Sequence, residues 1–228
     1  MRLSYYQNTD RGQVREINED FMAAITPGDN ELSLKEGSVF VIADGLGGLA
    51  DGEVASGEAI QTFEMLWRDL PDFQTTQGVR TIFNTINARI FQINHPKESA
   101  EWMATTLTAS FFYENRLTIG HIGDCRVYQV RHHQIRRLTT DHSFSRNILT
   151  RTIGTDPSVQ ADVYTLPLEV GDSYIQCSDG LYSMVDDQAI LDSTAEEDPR
   201  KVCEILIASA NRRGGLDNIT VQVIQVHE

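Results

Sequence analysis

The sequence predicts an α+β domain in which antiparallel sheets lie under helical hairpins. Two observations carry that prediction. Between residues 105 and 140 apolar runs alternate with short turns, as hairpin-joined strands do. Upstream, two amphipathic helical runs follow one another, and each needs an apolar surface to cover. A doubly wound parallel sheet fits less well, because helices do not separate the strands singly.

In chain order, Leu3 to Gln7 reads as a first strand, Phe21 to Thr26 as a weaker one, and Ser38 to Ala43 as a buried one. Val54, Ala55, Ala59, Ile60, Phe63, Leu66, Trp67 and Leu70 recur at helical spacing, and Pro71 ends that helix. Val79, Ile82, Phe83, Ile86, Ile90 and Ile93 mark the second, closed by Pro96. Hairpin turns are expected at Glu114-Asn115, Gly123-Asp124 and His132-His133. Ser173 to Cys177 and Ile219 to Val226 read as strands. Asp198-Pro199 opens a final helix, with proline at its first position, and Gly214-Gly215 ends it.

Bulk properties exclude several functions. The chain has 228 residues, enough for one large domain or two small ones, and 40% of them are hydrophobic. A net charge of -14 makes nucleic acid and anionic membrane poor partners. Cys125, Cys177 and Cys203 are odd in number and widely spaced, which suits buried free thiols rather than a disulfide framework or a zinc site. No apolar run approaches a membrane span, and "MRLSYYQNTDRG" lacks a signal-like apolar region, so a cytoplasmic home is expected.

The aspartates recur at one kind of place. Asp44 ends an apolar strand and meets Gly45. Asp124 follows the strand around Ile119. Asp179 follows "SYIQCS", Asp217 precedes the last strand, and Glu19-Asp20 precedes an early one. Singly, each reads as a solvated turn residue. As a set they put carboxylates where desolvation penalises them and where neighbours repel, unless a cation lies between. Hard divalent cations take such oxygen donors, backbone carbonyls included. Glycine after Asp44 lets its carbonyl approach an ion without a Cβ in the way. "DGLGGLADGE" has neither the aspartate spacing of an EF-hand nor the Gly-Lys-Ser/Thr of a P-loop.

These motifs, in order, resemble those of bacterial metal-dependent serine/threonine protein phosphatases of the PP2C type. "TDRGQVREINED" resembles the opening motif and "VFVIADGLGGLADGEVAS" the metal loop. "ATTLTASFF" and "GHIGDCRVY" are similar to the central hairpin, and "LTTDHS" and "LTRTIGT" to the segments around the substrate flap. "CSDGLYSMV" and "GGLDNITVQV" resemble the later metal motifs. The resemblance spans almost the whole chain and implies a single domain over 1–228, an αββα sandwich of two antiparallel sheets flanked by helical hairpins. It implies manganese or magnesium as cofactor. The implied metal ligands are Asp20, Asp44, Asp179 and Asp217, with the Gly45 carbonyl; Glu19 acts through water, and Asp124 serves a third, weaker ion. Arg15 is the implied phosphate-binding residue, its planar fork matching phosphate oxygens. The implied partners are phosphoserine and phosphothreonine proteins and a cognate kinase; a monomer is expected. No protein nucleophile is required, so Cys125 and Cys177 are discounted, Ser178 is read as structural, and Asp141-His142-Ser143 is read as a turn rather than a triad.

Three positions depart from the family's pattern. Leu46 and Leu49 stand where some relatives carry a histidine in the metal loop. Ser183 stands where some carry another aspartate, which predicts a weak third site. Only Phe144 to Ile148 separate the flap-flanking motifs, which predicts a shortened flap and a more open cleft. A catalytically weak or inactive binding module is the alternative these departures allow. A calcium-stabilised structural protein would account for the carboxylates but not for Arg15.

Overall fold

The structure is a computed structural model that describes residues 1–27, 32–33, 37–46, 51–67, 75–145 and 148–228. Its strands are β1 (Arg2–Asp10), β2 (Asp20–Ile25), β3 (Leu32–Ser33), β4 (Ser38–Asp44), β5 (Leu107–Tyr113), β6 (Arg116–Ile122), β7 (Arg126–Arg131), β8 (Gln134–Arg137), β9 (Ser143–Ser145), β10 (Ile148–Leu149), β11 (Asp162–Pro167), β12 (Ser173–Cys177) and β13 (Ile219–His227). Its α-helices are α1 (Gly52–Trp67), α2 (Thr76–Asn94), α3 (Asp179–Tyr182), α4 (Asp187–Ser193) and α5 (Pro199–Arg212).

Two antiparallel sheets form the frame. One runs β3-β1-β13-β12-β7-β8 and the other β11-β6-β5-β4-β2. Period-two alternation explains the layering, because the central strands β4, β5 and β13 are buried on both faces. Val39, Val41 and Ala43 on β4 and Leu107, Ala109 and Phe111 on β5 pack with Phe63, Ile82, Phe83 and Ile86 of α1 and α2. Ile219, Val221 and Val223 on β13 pack with Val202, Leu206 and Ala210 of α5. The opposite faces meet between the sheets, where Phe40, Phe112, Tyr174, Ile224 and Val226 form a third cluster. The result is helix, sheet, sheet, helix, the sandwich that the resemblance implied.

The middle layer also holds a chain of buried amides. Gln176 Nε2 donates to the carbonyls of Phe40 (3.2 Å) and Thr108 (3.1 Å) and to Gln222 Oε1 (3.0 Å). Gln222 Nε2 donates onward to the Ala23 carbonyl at 3.0 Å. These bonds link the two sheets and satisfy groups that burial would otherwise penalise.

Most expected elements lie within a few residues of their predicted places. Asp198 caps α5 by accepting from the Arg200 N–H. His132 and His133 take positive φ (51° and 58°) in the β7–β8 turn, the backbone that a two-residue hairpin demands. Gly123-Asp124 differs: it is not a hairpin turn. β6 and β7 belong to different sheets, so this segment carries the chain from one sheet to the other. The strand β11 and the short helices α3 and α4 were not anticipated. Among the described residues, the span between the flap-flanking motifs is the small hairpin β9–β10 and contains no helix, in line with the shortened flap. Leu49, Leu70 and Pro71 lie outside the described residues.

Candidate active site

All the carboxylates singled out from the sequence stand at one end of the sandwich. Asp20 opens β2 and Asp44 closes β4, and the antiparallel register sets them directly opposite each other. Like charges paired in this way destabilise a sheet. Asp179 follows the end of β12, and Asp217 lies two residues before its partner strand β13. Asp124 sits in the crossover between the sheets. A pocket with about 490 Å³ of open space, part of it exposed to solvent, is lined by Arg15, Asp44, Gly45, Leu46, Asp124, Leu149, Asp179 and Asp217. Asp20 lies buried beside it.

The electrostatics of this end are unbalanced. Burial pushes the Asp44 carboxyl well up, and Asp20, Asp179, Asp124 and Asp217 push it further. Burial, then Asp124, Asp217 and Asp20, raise Asp179 to about 7. Burial also raises Asp20, to about 6, against hydroxyl donors that favour its ionised form. Those donors are Ser178 Oγ (2.7 Å) and Thr220 Oγ1 (2.6 Å), both on Asp20 Oδ2. Asp124 is raised by burial first and Asp141 second. Among the described residues, Arg15 is the one cation lining the pocket.

Arg15 and Glu19 come from the loop between β1 and β2. Arg15 Nη2 donates to Asp217 Oδ2 at 2.7 Å, and its Nη1 lies 3.7 Å from Glu19 Oε2. Burial raises the Glu19 carboxyl, which Arg15 partly offsets. Asn218 holds this loop in place. Its Nδ2 donates to the Arg11 and Ile17 carbonyls, both at 2.9 Å, and its Oδ1 accepts from the Glu19 N–H at 2.9 Å. Sequence reasoning missed Asn218 and Thr220 and read Ser178 as merely structural; the adjacency of Asn218 to Asp217 was the available signal.

Gly45 is required here for a reason the sequence did not disclose. A Cβ on it would lie 2.2 Å from the Gly52 carbonyl oxygen and 2.8 Å from that of Glu19. The missing side chain lets the start of α1 close against the strand end, and Gly45 also lines the pocket. Gly180 likewise admits the Asn218 carbonyl, 2.0 Å from where a Cβ would sit.

The residues set aside from chemistry have other partners. All three cysteines are buried and free, and burial pushes the Cys177 thiol up. Asp141 pairs with Arg126, and His142 Nε2 lies 3.1 Å from Asp162 Oδ2, so the Asp141-His142-Ser143 run forms no triad. Ser183 caps α3, its N–H donating to the Asp179 carbonyl.

The donor set fits hard divalent cations: oxygen only, rich in carboxylate, and short of positive charge. Among the described residues no three His, Cys, Asp or Glu side chains already close into a cage. The carboxylates instead ring a pocket with room between them.

Comparisons with known proteins agree with this geometry. The protein phosphatase 2C family profile matches residues 17–208. The chain is 31% identical to the protein phosphatase PhpP of Streptococcus pneumoniae, with 96% of each chain covered. It superposes on the serine/threonine phosphatase PstP/Ppp of Mycobacterium tuberculosis with a TM-score of 0.86, at 30% identity and with 100% of both chains covered. It superposes equally on the catalytic domain of PstP in complex with two manganese ions, with a TM-score of 0.85 at 31% identity, covering 100% of this chain and 99% of that one. The chain therefore belongs to the protein phosphatase 2C family and is a metal-dependent serine/threonine protein phosphatase.

Proposed function

We propose that residues 1–228 act as one phosphatase domain in which Asp20, Asp44, Asp179 and Asp217, with the Gly45 carbonyl, hold two manganese or magnesium ions. Asp124 serves a third, weaker ion, and Glu19 contributes through water. The observation that carries this reading is the convergence of four aspartates from separate chain segments on one pocket, with Asp20 buried beside it and Arg15 as the one lining arginine among the described residues. When bound, the ions supply Lewis acidity and a water activated at neutral pH.

The chain's own residues do the rest. The carboxylates fix where positive charge sits and so allow a dianionic phosphate into an otherwise repelling pocket. Arg15, half-exposed at the rim, turns its guanidinium fork to the phosphate oxygens and aligns phosphorus for in-line attack. Its bond to Asp217 keeps it poised between the ligand shell and the substrate. Leu46 lines the pocket but offers no proton, so the leaving serine or threonine oxygen takes its proton from water. The substrates are phosphoproteins, and the opposing enzyme is a cognate serine/threonine kinase. No described helix is long and apolar enough to cross a membrane, and a cytoplasmic, monomeric enzyme is the proposed setting.

The test is hydrolysis of a phosphothreonine peptide with manganese, with chelator, and by Asp179→Asn. Loss of activity under both treatments is expected. Hydrolysis that persists in chelator would overturn the metal-based reading.

A further inference from the structure

We propose that Tyr182 is a positioning residue that fixes Asp124 against Asp179, and that the Arg126–Asp141 ion pair holds Tyr182 in place. The proposal rests on the ligand assignment above and extends it to side chains outside the pocket lining.

Asp124 and Asp179 come from different segments: one lies in the crossover between sheets, the other begins α3. A direct link joins them. Tyr182 stands three residues after Asp179, at the end of the same helical turn, and its hydroxyl donates to the Asp124 carbonyl at 3.1 Å. The tyrosine itself is clamped. The Arg126 guanidinium lies 3.6 Å from the centre of its ring. Arg126 is in turn fixed by Asp141, with Nη2 2.7 Å from Oδ2 and Nε 3.1 Å from Oδ1, and by the Tyr128 hydroxyl at 3.2 Å. This planar, bidentate pairing leaves the guanidinium little freedom.

The crossover is gripped on its other side as well. His142 donates its N–H to the Gly123 carbonyl at 2.8 Å and accepts the Gly123 N–H on Nδ1 at 3.2 Å. These contacts hold the crossover backbone beside Asp124, which lines the pocket. A purely packing role for Tyr182 would need only its ring. The hydroxyl bond is what ties α3 to the crossover, and it matters most where Ser183 supplies no further acid.

The experiment is calorimetric titration of the metal-free full chain with manganese chloride, for the parent and for Tyr182→Phe, Arg126→Lys and Asp124→Asn. Melting temperatures are recorded for each. Asp124→Asn is expected to abolish the weaker class of sites. Tyr182→Phe should weaken that class roughly tenfold, the low end of the loss in affinity when a group that orients a metal ligand is removed. It should leave the tighter class unchanged. Arg126→Lys should fall between parent and Tyr182→Phe, and it carries the test alone if Tyr182→Phe does not fold. If Asp124→Asn loses the weaker class while Tyr182→Phe matches the parent, the bridge is overturned and the ligand assignment stands. Equal weakening of both classes by Tyr182→Phe would mean general loosening and would also overturn the bridge. A parent isotherm unchanged in Asp124→Asn would overturn the assignment of Asp124, and the bridge with it.

Discussion

The strand β12 has an aspartate at each end, and the two live under opposite rules. Asp172, before the strand, is 1% exposed and fully answered. Arg131 reaches it with Nε at 2.6 Å and Nη2 at 2.7 Å, the Tyr174 hydroxyl donates at 2.8 Å, and the Glu169 N–H at 2.9 Å. Burial pushes its carboxyl upward, but these donors outweigh burial and hold it below the usual range. Asp179, after the strand, has burial and three other carboxylates around it, and sits near 7. Asp172 is met by a full set of donors, whereas among the described residues lining the pocket only Arg15 offsets the carboxylates around Asp179. A deficit of positive charge around well-formed carboxylates thus marks the place reserved for a cation from outside.

Substitution at each end of β12 separates the two rules most strongly. Asp179→Asn should lower phosphopeptide turnover by roughly two orders of magnitude or more, because several kcal/mol of charge stabilisation leave with the ion. Its metal-free melting temperature should stay level or rise, since a repulsion is removed. Asp172→Asn should do the reverse. It breaks a buried ion pair and should cost about 3 kcal/mol in denaturant unfolding, with turnover per folded molecule unchanged. A stable Asp172→Asn protein would remove the distinction between the two ends.

Arg15→Ala tests the one pocket cation among the described residues. A lost charge-assisted hydrogen bond of about 2 kcal/mol should raise KM for a phosphopeptide some thirtyfold. Manganese binding should change less. An unchanged KM would assign Arg15 to holding Asp217 alone.

The smallest effect is the pH dependence of the metal-free protein. Asp20 and Asp179 have folded values raised to about 6 and about 7, so the folded state binds more protons than the unfolded one between those values and about pH 4. Stability in chelator should therefore rise as pH falls from about 8 to about 5. Asp172 has a lowered folded value, so its contribution is present above the ordinary carboxylate range and is lost as pH falls below it. Melting curves in chelator should show a maximum near about pH 4–5. Saturating manganese should remove the rise on the alkaline side. A flat profile in chelator would mean that the pocket carboxylates do not repel.

Much of this site was legible because an apolar strand ending in a carboxylate is a local signal, and Asp44 and Asp179 both carry it. Asp124 was found for the same reason, yet its setting was misread. A glycine-aspartate pair that closes a hairpin and one that crosses between sheets use the same turn chemistry, and only the sheet order tells them apart. Sequence pattern alone reached sheets under helical hairpins; the sandwich came from the resemblance, because both faces of β4 and β13 are buried and nothing local says which covers which. The edge strand β11 escaped notice because it is half-exposed throughout and shows weak alternation. Asn218, Tyr182 and His142 were out of reach for another reason. They act on backbone groups far away in the chain, and that role leaves no periodicity in the sequence.

On the proposed reading, the end of the sandwich where carboxylates outnumber cations among the described residues receives metal ions. Anomalous diffraction at the manganese edge, from crystals soaked in manganese chloride, is the decisive test of that statement. Peaks are expected between Asp20, Asp44, Asp179 and Asp217, and none beside Asp172. Peaks confined to the protein surface, with that pocket empty, would contradict it.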